Sequence, residues 1–406
     1  MISVCIPTKN AGPQFARHLR AWRGQLAREE VELVIADSGS EDSTVATARE
    51  LGARLLSIPP GEFNHGETRN LLGRQARGDL LVFTVQDACP ADDFVLLELA
   101  RPLRHTPDLG AVTGRQVPHA DADPFARWEV EHHHTVISRG PAWKPKQYLL
   151  PARTYTVGSE GPALRRLPLR HRRLSGSFVR RFQRVAFDNV CSALRRTLWE
   201  QFPFARIEFG EDLEWAVRVL RAGHTLLRNP AARVHHSHNL EPYQRLRRAF
   251  VSRRASNRIL ELPPALPALR EDEVLSGIGA YAAALAELEA QLETAPQPVR
   301  RLALPSSARH LARRALRRLS LAGPGLARRL RTNLVSDQLG GSFNTVSRLL
   351  VRFHGGLSPA DARLVLWQLG MHVLGDFLGD YAYAAEAAGA LPAWLEEMAT
   401  GLSRGV

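Results

Sequence analysis

The sequence predicts an α/β fold class: a mostly parallel sheet followed by a helical C-terminal region. Three observations predict it. Over the first 115 residues, short apolar runs of strand length alternate with segments of helical spacing. The run at residues 80–85 is apolar enough to be buried on both faces, as in parallel sheets. From Pro242 onward the pattern predicts helices alone. We therefore expect the 406 residues to form two domains, residues 1–240 and residues 241–406.

The elements of the N-terminal region follow one another at short intervals. Strands are predicted at residues 2–7, 31–36, 54–58 and 80–85, and helices at residues 15–27, 41–51 and 68–76. Ser40 is the expected N-cap of the second helix, because a serine hydroxyl satisfies free amides there. This alternation is typical of a parallel sheet with right-handed crossovers. Ligands bind such sheets beyond the carboxyl ends of strands, so the loops at 7–10, 37–40, 59–65 and 86–90 are candidates for a site.

The regular pattern weakens after about residue 115 and returns near residue 185. Residues 139–184 are rich in arginine, proline, glycine and serine, which predicts a long basic insertion or lid. Beyond it we expect order at 185–194, a helix at 211–222 ended by Gly223, and strands at 225–227 and 233–238. The C-terminal helices are predicted at residues 275–292, 344–351, 359–378 and 391–402.

Composition excludes several classes of protein. With 44% hydrophobic and 23% charged residues, the chain is neither disordered nor fibrous. It has no run of about 18 apolar residues and no N-terminal secretory signal. Its three cysteines, Cys5, Cys89 and Cys191, are too scattered for a disulfide framework or a zinc site. These features predict a cytoplasmic protein without a membrane-spanning helix.

The net charge of +13 is concentrated in two segments. Residues 139–184 have a balance of +11 and residues 296–336 a balance of +10, so the rest of the chain is net negative at −8. Each basic segment therefore predicts an anionic partner. Over residues 309–319 the arginines and the apolar residues take opposite sides of a helix. This pattern suits an anionic membrane surface or, as an alternative, packing on the N-terminal domain.

Two of the candidate loops contain polar clusters, and each has two interpretations. The carboxylate of Asp37, directly after a strand, can bind a nucleobase or ribose, or it can simply stabilise the turn into the next helix. The second polar cluster, residues 61–70, follows a strand and ends in the first turn of the next predicted helix, where Arg69 lies. The free backbone amides of that turn and the Arg69 guanidinium suit a diphosphate. The alternative is an ordinary helix start capped by Glu67 or Thr68.

Two further clusters carry carboxylates. Asp87 follows Gln86 after the most apolar strand, where its oxygens can hold Mg²⁺ or Mn²⁺; a plain polar strand end is the alternative. Glu211 and Asp212 open a helix, where one carboxylate can raise the pKa of the other toward a general-base role. Acids that merely favour the positive end of the helix dipole are the alternative there.

His236 and His238 form the last candidate pair. They lie on the strand predicted at 233–238, and residues two apart on a strand share a face. They can therefore supply a metal ligand or contact a phosphate, and ordinary surface or packed histidines are the alternative.

The order of these motifs along residues 1–240 resembles the inverting family 2 glycosyltransferases. The motifs are Pro7-Thr8-Lys9-Asn10, Asp37-Ser38-Gly39-Ser40-Glu41-Asp42-Ser43-Thr44, Thr68-Arg69-Asn70, Gln86-Asp87, Gly210-Glu211-Asp212 and the histidine pair. The variants most similar to the bacterial rhamnosyltransferase-like branch are Phe63-Asn64-His65-Gly66 and Gln86-Asp87-Ala88. The resemblance implies a GT-A fold that binds a nucleotide-diphospho-sugar.

The resemblance also implies a role for each motif residue. The residues that would bind the nucleotide-sugar are Pro7, Thr8, Asp37, Arg69 and Gln86. The residues that would bind the metal, Mg²⁺ or Mn²⁺, are Asp87, His236 and His238. Asp212 would act as the general base. The nucleoside would lie against Pro7, Thr8 and Asp37, and the diphosphate would lie near Arg69. One departure from the family pattern is that Val85 stands where the metal motif Asp-X-Asp has its first aspartate.

The implied reaction is transfer of a sugar, with rhamnose as the candidate, to a hydroxyl of a surface glycan or a lipid-linked glycan. Asp212 would deprotonate the acceptor, and the anomeric configuration would invert. A catalytically silent GT-A domain that binds a nucleotide-sugar or a membrane is the first alternative, which Val85 favours. A nucleotidyltransferase is the second. A nucleic-acid partner is not expected, because the basic segments lack interleaved aromatic residues.

Overall fold

The structure, a computed structural model, describes residues 1–27, 29–59, 61–138, 178–264, 269–304 and 324–403. The chain divides into two compact units. The first unit comprises Met1–Asp121, Glu129–Ser237 and Ile259–Glu261, and the second comprises Ala122–Trp128, His238–Arg258 and Leu262–Val406. Residues 122–128 therefore belong to the second unit and residues 259–261 to the first, although a single boundary at residue 240 was expected. The two domains, 1–240 and 241–406, stay a prediction.

Strands and helices alternate along the first unit. The strands are β1 (Ile2–Thr8), β2 (Val31–Asp37), β3 (Arg54–Ser57), β4 (Leu80–Thr84), β5 (Cys89–Pro90), β6 (Leu109–Val117), β7 (Cys191–Arg195) and β8 (Thr225–His235). The helices up to residue 221 are α1 (Phe15–Arg23), α2 (Thr44–Glu50), α3 (His65–Gln75), α4 (Val95–His105), α5 (Pro124–Ser138), α6 (Phe178–Val185), α7 (Arg196–Gln201) and α8 (Glu211–Arg221). Of the basic insertion predicted at 139–184, the part before residue 178 lies outside the described residues, and α6 contains the rest.

The strands form one sheet in the order β3-β2-β1-β4-β7-β6-β8-β5. The pairs β1–β2, β1–β4, β2–β3 and β6–β8 are parallel, whereas β7 runs antiparallel to β4 and β6, and β5 antiparallel to β8. The predicted α/β fold class with a mostly parallel sheet is confirmed. Strand structure is observed at 225–227 and 233–235 as expected, but in one irregular strand, β8, so the predicted break and the predicted continuation to residue 238 are wrong.

Apolar side chains cover both faces of the sheet. Val4 and Val82 belong to one buried cluster with Trp22 of α1, whereas Cys5 and Phe83, one residue further along the same strands, belong to a second buried cluster. Successive side chains of a strand point to opposite faces, so most positions of β1 and β4 must be apolar. The polar exceptions, which are buried as well, are Ser3, Thr8 and Thr84. This burial explains why the two sequences are mostly apolar.

The second unit is helical. Its helices after residue 241 are α9 (Pro242–Ile259), α10 (Glu271–Leu292), α11 (Pro324–His354), α12 (Pro359–Ala387) and α13 (Ala393–Ser403). The predicted helical C-terminal region is confirmed, with α9 added and α11 longer than expected. A Cβ on Gly375 of α12 would lie 2.4 Å from the Leu246 carbonyl oxygen, so the glycine permits close contact with α9. Arg253 of α9 reinforces this contact with an ion pair to Asp380.

Within the described parts of the chain, no helix combines the length and the apolar composition needed to cross a bilayer. The amphipathic pattern predicted at 309–319 lies outside the described residues.

Candidate active site

Three carboxylates that the sequence singles out lie at one edge of the sheet. Asp37 is in register with Thr8, where the parallel strands β2 and β1 end. Asp87 follows the end of β4, which is parallel to β1. Because β7 runs antiparallel to β4, it begins at this same edge. Asn189, just before β7, donates its backbone N–H to Asp212 Oδ2 at 3.2 Å. Residues far apart in sequence thus reach one edge.

Glu211 and Asp212 occupy the first turn of α8. The residue before them, Gly210, has φ of 80°, a conformation that disfavours side chains other than glycine. Asp212 Oδ1 accepts the backbone N–H of Leu213 at 2.7 Å. Glu211 Oε1 accepts Arg69 Nη1 at 2.6 Å and Asn189 Nδ2 at 3.4 Å. The Arg69 and Glu211 side chains are only 4% and 7% exposed, so this ion pair is buried.

The two neighbouring carboxyl groups titrate in opposite directions. Burial and then the negative charge of Glu211 raise the pKa of Asp212 from 3.8 to about 7. Burial is the largest single influence on Glu211 and raises its pKa, but the charges of Arg69 and His65 together with hydrogen bonds, including that from Asn189, outweigh it, and the net shift of that pKa is downward. Glu211 therefore stays ionised while Asp212 takes up a proton near neutral pH, as a general base requires.

Arg69 lies on α3 and is buried. Besides Glu211, its Nη1 approaches the carbonyl oxygen and Nδ1 of His65, each at 3.4 Å. Its Nε finds no hydrogen-bond acceptor among the residues that the structure describes. The expected contact with a diphosphate stays a prediction. The alternative interpretation, a helix start capped by Glu67 or Thr68, is wrong in its cap, because α3 starts at His65 and the Asn64 side chain caps it.

The carboxylate of Asp37 is surrounded by donors of its own loop. It accepts the backbone N–H groups of Gly39 and Ser40 at 3.1 and 2.9 Å, the Ser40 hydroxyl, and the Thr8 hydroxyl at 3.3 Å. The turn-stabilising interpretation of Asp37 is therefore observed, and the role of Asp37, Thr8 and Pro7 toward a nucleoside stays a prediction. Ser40 was expected to cap α2, but this expectation is wrong because the helix begins at Thr44.

Gln86 joins the loops after β1 and β4. Its Oε1 accepts the Lys9 N–H at 2.8 Å, and its Nε2 donates to the Lys9 carbonyl at 3.1 Å. Both loops are thereby fixed to each other beside Asp87. The predicted role of Gln86 in nucleotide-sugar binding stays a prediction.

Asp87, His236 and His238 each offer one ligand atom, and these atoms all lie within 4.8 Å of one another. His236 Nε2 is 3.6 Å from Asp87 Oδ1. His236 Nδ1 lies 2.8 Å from Gln116 Oε1. A proton on Nδ1 would donate to that oxygen, and Nε2, which is directed toward Asp87, could then act as a metal ligand. The residues therefore fit a divalent metal. The expectation that both histidines lie on a strand is wrong, because β8 ends at His235.

Sequence reasoning missed two residues of this edge. Asn189 was not predicted, because the search was limited to loops at the carboxyl ends of parallel strands. Since β7 is antiparallel, it is its amino end, next to Asn189, that lies at the same edge. His119 follows β6, a strand that was not predicted; its Nε2 lies 3.3 Å from the Asp87 carbonyl oxygen, and its ring stacks with those of His18 and His235. In the sequence, the feature that could have indicated Asn189 is the polar pair Asp188-Asn189 directly before an apolar run.

The sequence matches the model of a known family. Residues 3–167 match "Glycosyl transferase family 2". The O-antigen chain rhamnosyltransferase RfbN of Salmonella typhimurium is 30% identical over 254 residues, 61% of this chain and 70% of that protein. The O-antigen chain rhamnosyltransferase WbaN of Salmonella anatum is 30% identical over 253 residues, again 61% of this chain and 70% of that protein.

Solved structures are similar at lower identity. The mannosyltransferase PcManGT from Pyrobaculum calidifontis, in complex with GDP-Man and Mn²⁺, has a TM-score of 0.45 and 19% identity, covering 83% of this chain and 86% of that one. A glucosyl-3-phosphoglycerate synthase from Mycobacterium tuberculosis, in complex with Mn²⁺, UDP-glucose and phosphoglyceric acid, has a TM-score of 0.42 and 18% identity, covering 66% and 82%.

Proposed function

The chain belongs to glycosyl transferase family 2, and from this premise we propose that it transfers rhamnose from a nucleotide-diphospho-sugar to a glycan hydroxyl with inversion. Family membership and the rhamnosyltransferase relatives confirm the expected glycosyltransferase and disfavour a silent binding domain. The proposal rests above all on the carboxylate pair of α8, where Glu211 stays ionised beside Asp212.

Asp212 is the proposed general base. Its carboxylate takes the proton of the acceptor hydroxyl while the acceptor oxygen forms a bond to the anomeric carbon. The bond from that carbon to the phosphate oxygen breaks, and its electron pair leaves with the nucleoside diphosphate. Attack from the face opposite the leaving group inverts the anomeric configuration. A base with a pKa of about 7 is half ionised near neutral pH and still basic enough to assist this attack.

The donor is proposed to lie along the edge formed by the ends of β1, β2 and β4. Arg69 supports this placement, because its buried Nε still lacks an acceptor among the described residues. A phosphate oxygen would satisfy that N–H and compensate its burial. The loops after β1 and β4, joined through Gln86, would hold the nucleoside end with Pro7, Thr8 and Asp37.

Asp87, His236 and His238 are the residues that would hold Mg²⁺ or Mn²⁺. One carboxylate and two imidazoles are a donor set that both oxygen-preferring and borderline cations accept. When bound, the metal supplies positive charge that stabilises the leaving diphosphate. Val85 provides no ligand, so His236 and His238 replace the missing aspartate in this proposal.

Rhamnose and a surface glycan are proposed from the two relatives. Both are named O-antigen chain rhamnosyltransferases, and each aligns over more than half of this chain. The acceptor would accordingly be a growing polysaccharide or its lipid-linked precursor, with the reaction on the cytoplasmic side of the membrane.

A basic and apolar surface of the second unit supports contact with an anionic membrane. The segment from Val299 to Leu304 runs along α11, since the Leu302 carbonyl accepts the Ser347 hydroxyl and the Leu304 N–H donates to Asn344 Oδ1. We define the arginine patch as four exposed arginines and two exposed apolar residues of this segment and of α11: Arg300, Arg301, Arg348, Leu349, Arg352 and Phe353. Leu349 and Phe353 are 42% and 47% exposed. Arginines that flank exposed apolar side chains are typical of surfaces that bind anionic lipid.

A donor screen tests the proposed function. Purified full-length protein is incubated with a panel of UDP-, GDP- and dTDP-sugars that includes a rhamnose donor, with Mg²⁺, Mn²⁺ or EDTA, and nucleoside diphosphate release is measured. We expect release from the rhamnose donor with metal present. Asp212→Asn should lower that rate at least about 10²-fold, because general-base assistance is lost. Donor binding, measured by calorimetry, should change little.

Glu214→Gln is the matched control. Glu214 lies in the same first turn of α8, but its carboxylate pairs with Arg218 rather than with the site. This variant should retain the wild-type rate. Wild-type turnover by Asp212→Asn would overturn the base assignment, and release from no rhamnose donor would overturn the choice of sugar.

A further inference from the structure

The buried ion pair beside Asp212 is the least expected feature of the site. A buried ion pair is costly, because both charges lose their hydration. Their mutual attraction offsets that loss of free energy only when the geometry of the pair is good. Arg69 and Glu211 are 142 positions apart in the sequence and form the pair at 2.6 Å with almost complete burial. Such a pair contributes little stability beyond what an apolar pair of similar volume would give. Its position, one residue before the proposed base, suggests what else it does.

Asn189 connects both carboxylates of α8. Its backbone N–H donates to Asp212 Oδ2 at 3.2 Å, and its side-chain amide donates to Glu211 Oε1 at 3.4 Å. The amide oxygen of Asn189 accepts the Ser192 hydroxyl at 3.0 Å, so the side chain is held from the other side as well. Asn189 is 1% exposed. One residue therefore fixes the orientation of both carboxylates relative to the start of β7.

We propose that Glu211, held by Arg69 and Asn189, is a positioning residue for the base carboxylate of α8 and sets the pH range in which that carboxylate accepts a proton. This inference rests on the proposed function, because it requires Asp212 to be the base. Glu211 itself is occupied by two donors and is not offered as a group that touches the substrate.

The charged groups around Asp212 decide the direction of the effect. Three of them act on Asp212 itself: Glu211 of α8, Arg69 of α3 and Asp188 before β7. Behind these, His65 of α3 acts on Glu211, and Arg228 of β8 acts on Asp188. The charge of Glu211 raises the pKa of Asp212 more than the charge of Arg69 lowers it. Glu211 can exert this influence only while it is ionised, and Arg69 keeps it so.

Glu211→Gln tests the proposal through the pH profile. Glutamine keeps an oxygen that can accept from Arg69 and Asn189, so the variant removes the charge and preserves the shape. The rate is nucleoside diphosphate release from the donor selected by the screen, at saturating donor with water as acceptor. We expect the midpoint of the acid limb to move at least about one pH unit lower. The rate above pH 8 should fall about three- to tenfold, because the base is weaker.

The double variant Arg69→Gln/Glu211→Gln guards against a folding defect. It replaces the buried ion pair with two neutral amides that can bond to each other, a change that buried pairs often tolerate. Because Arg69 is also proposed to contact the diphosphate, the rate of this variant should fall at every pH, and only the position of its acid limb is compared. The larger raising charge and the smaller lowering charge are both removed, so the acid limb should move in the same direction by a smaller amount. Glu214→Gln, on the same helical turn, should leave the acid limb in place.

The outcomes separate this proposal from the proposed function. If Asp212→Asn is inactive and Glu211→Gln loses rate with its acid limb unmoved, Glu211 is only structural and the proposal is wrong. If Asp212→Asn remains active, the base assignment fails, and a shift in Glu211→Gln would then belong to another group. A shift to lower pH in both Glu211 variants together with an inactive Asp212→Asn is the expected result.

Discussion

The surroundings of Asp212 destabilise its ionised form, and this both raises the basicity of the carboxylate and lowers the stability of the fold. Its carboxyl group lies beside the ionised Glu211 and is largely removed from water, and both effects disfavour the charged form. Two backbone N–H groups, of Asn189 and Leu213, compensate only in part. A carboxylate in such surroundings is a better proton acceptor than one in water, and its ionisation lowers the stability of the fold.

The first prediction concerns the stability of Asp212→Asn. Folded Asp212 keeps its proton up to about pH 7, whereas the unfolded carboxyl loses it near pH 4. The folded state therefore binds more protons between these values, and the wild-type free energy of unfolding falls as pH rises from about 4 to about 7. Asparagine has no such loss. We expect Asp212→Asn to be more stable than wild type by about 1–2 kcal/mol at pH 8 and by little at pH 4.

Thermal or denaturant unfolding of both proteins across this pH range measures the effect. Glu30→Gln, which removes an exposed carboxylate of the first unit, is the control and should show no pH-dependent gain. Equal stability of Asp212→Asn and wild type at pH 8 would show that the ionised carboxylate of Asp212 does not destabilise the folded state.

At the scale of elements, α3 holds the loop that leads into α8. Asn64 caps α3 and donates its side-chain amide to the Ile207 carbonyl at 2.8 Å. Asn70, one and a half turns later, donates to the Phe204 carbonyl and accepts the Phe204 N–H, both at 2.9 Å. The motif residues of α3 thus fasten the chain just before Gly210, and they determine where α8 begins.

Gly66→Ala is the second prediction. A Cβ at Gly66 would lie 2.2 Å from the Ala205 carbonyl oxygen, and backbone on both sides leaves no flexible side chain to move away. We expect a loss of about 1–3 kcal/mol in the free energy of unfolding and a reduced transfer rate, since the loop before α8 must shift. Chemical denaturation and the nucleoside diphosphate assay measure the two effects.

Gly279→Ala, in the middle of α10, is the matched control. A Cβ there meets nothing within 4 Å. Alanine in an open helical position should stabilise by about 1 kcal/mol and leave the transfer rate unchanged. If Gly66→Ala proves as stable as wild type, the close contact between α3 and the loop is not required.

At the scale of the whole molecule, charge is distributed unevenly. The chain carries +13, yet the site at the sheet edge is lined by Asp37, Asp87, Glu211 and Asp212. In the described part of the second unit, the four arginines of the arginine patch have no ion-pair partner among described residues. Unpaired exposed arginines contribute long-range attraction to an anionic surface, and each adds about 1 kcal/mol near a membrane.

The third prediction concerns membrane binding through the arginine patch. We expect the full-length protein to sediment with vesicles containing anionic lipid at low salt, and to be released by salt, because surface charges are screened. Arg348→Glu/Arg352→Glu should weaken this binding about tenfold or more. Phe353→Ser should weaken it less, and neutral vesicles should bind little.

Arg49→Glu/Arg74→Glu is the control, because it makes the same change in net charge at exposed residues of the first unit. If this control loses binding as strongly as the patch variant, the attraction depends on net charge alone. If the patch variant sediments like wild type at low salt, the patch is not a membrane surface.

Elements buried on both faces were the easiest to predict. The strands β1, β2 and β4 were expected within one residue of their bounds, because a continuous apolar run of this length is typical of a strand covered on both sides. The start of α3 was placed three residues too late, since its cap, Asn64, lies inside a polar loop that offers several possible capping residues. The strand β6 was missed because its glycines and polar residues break the apolar pattern.

The sequence by itself determined the α/β class and the helical C-terminal region, and it singled out the carboxylates that the structure finds at one edge of the sheet, because burial periodicity and strand-end motifs are local properties of the chain. Only the tertiary structure decided that β7 runs antiparallel and so brings Asn189 to Asp212, and that Arg69 is paired with Glu211. Strand direction and buried partners depend on residues more than a hundred positions apart. Such pairing is set by the packing of the whole sheet, and no local pattern records it.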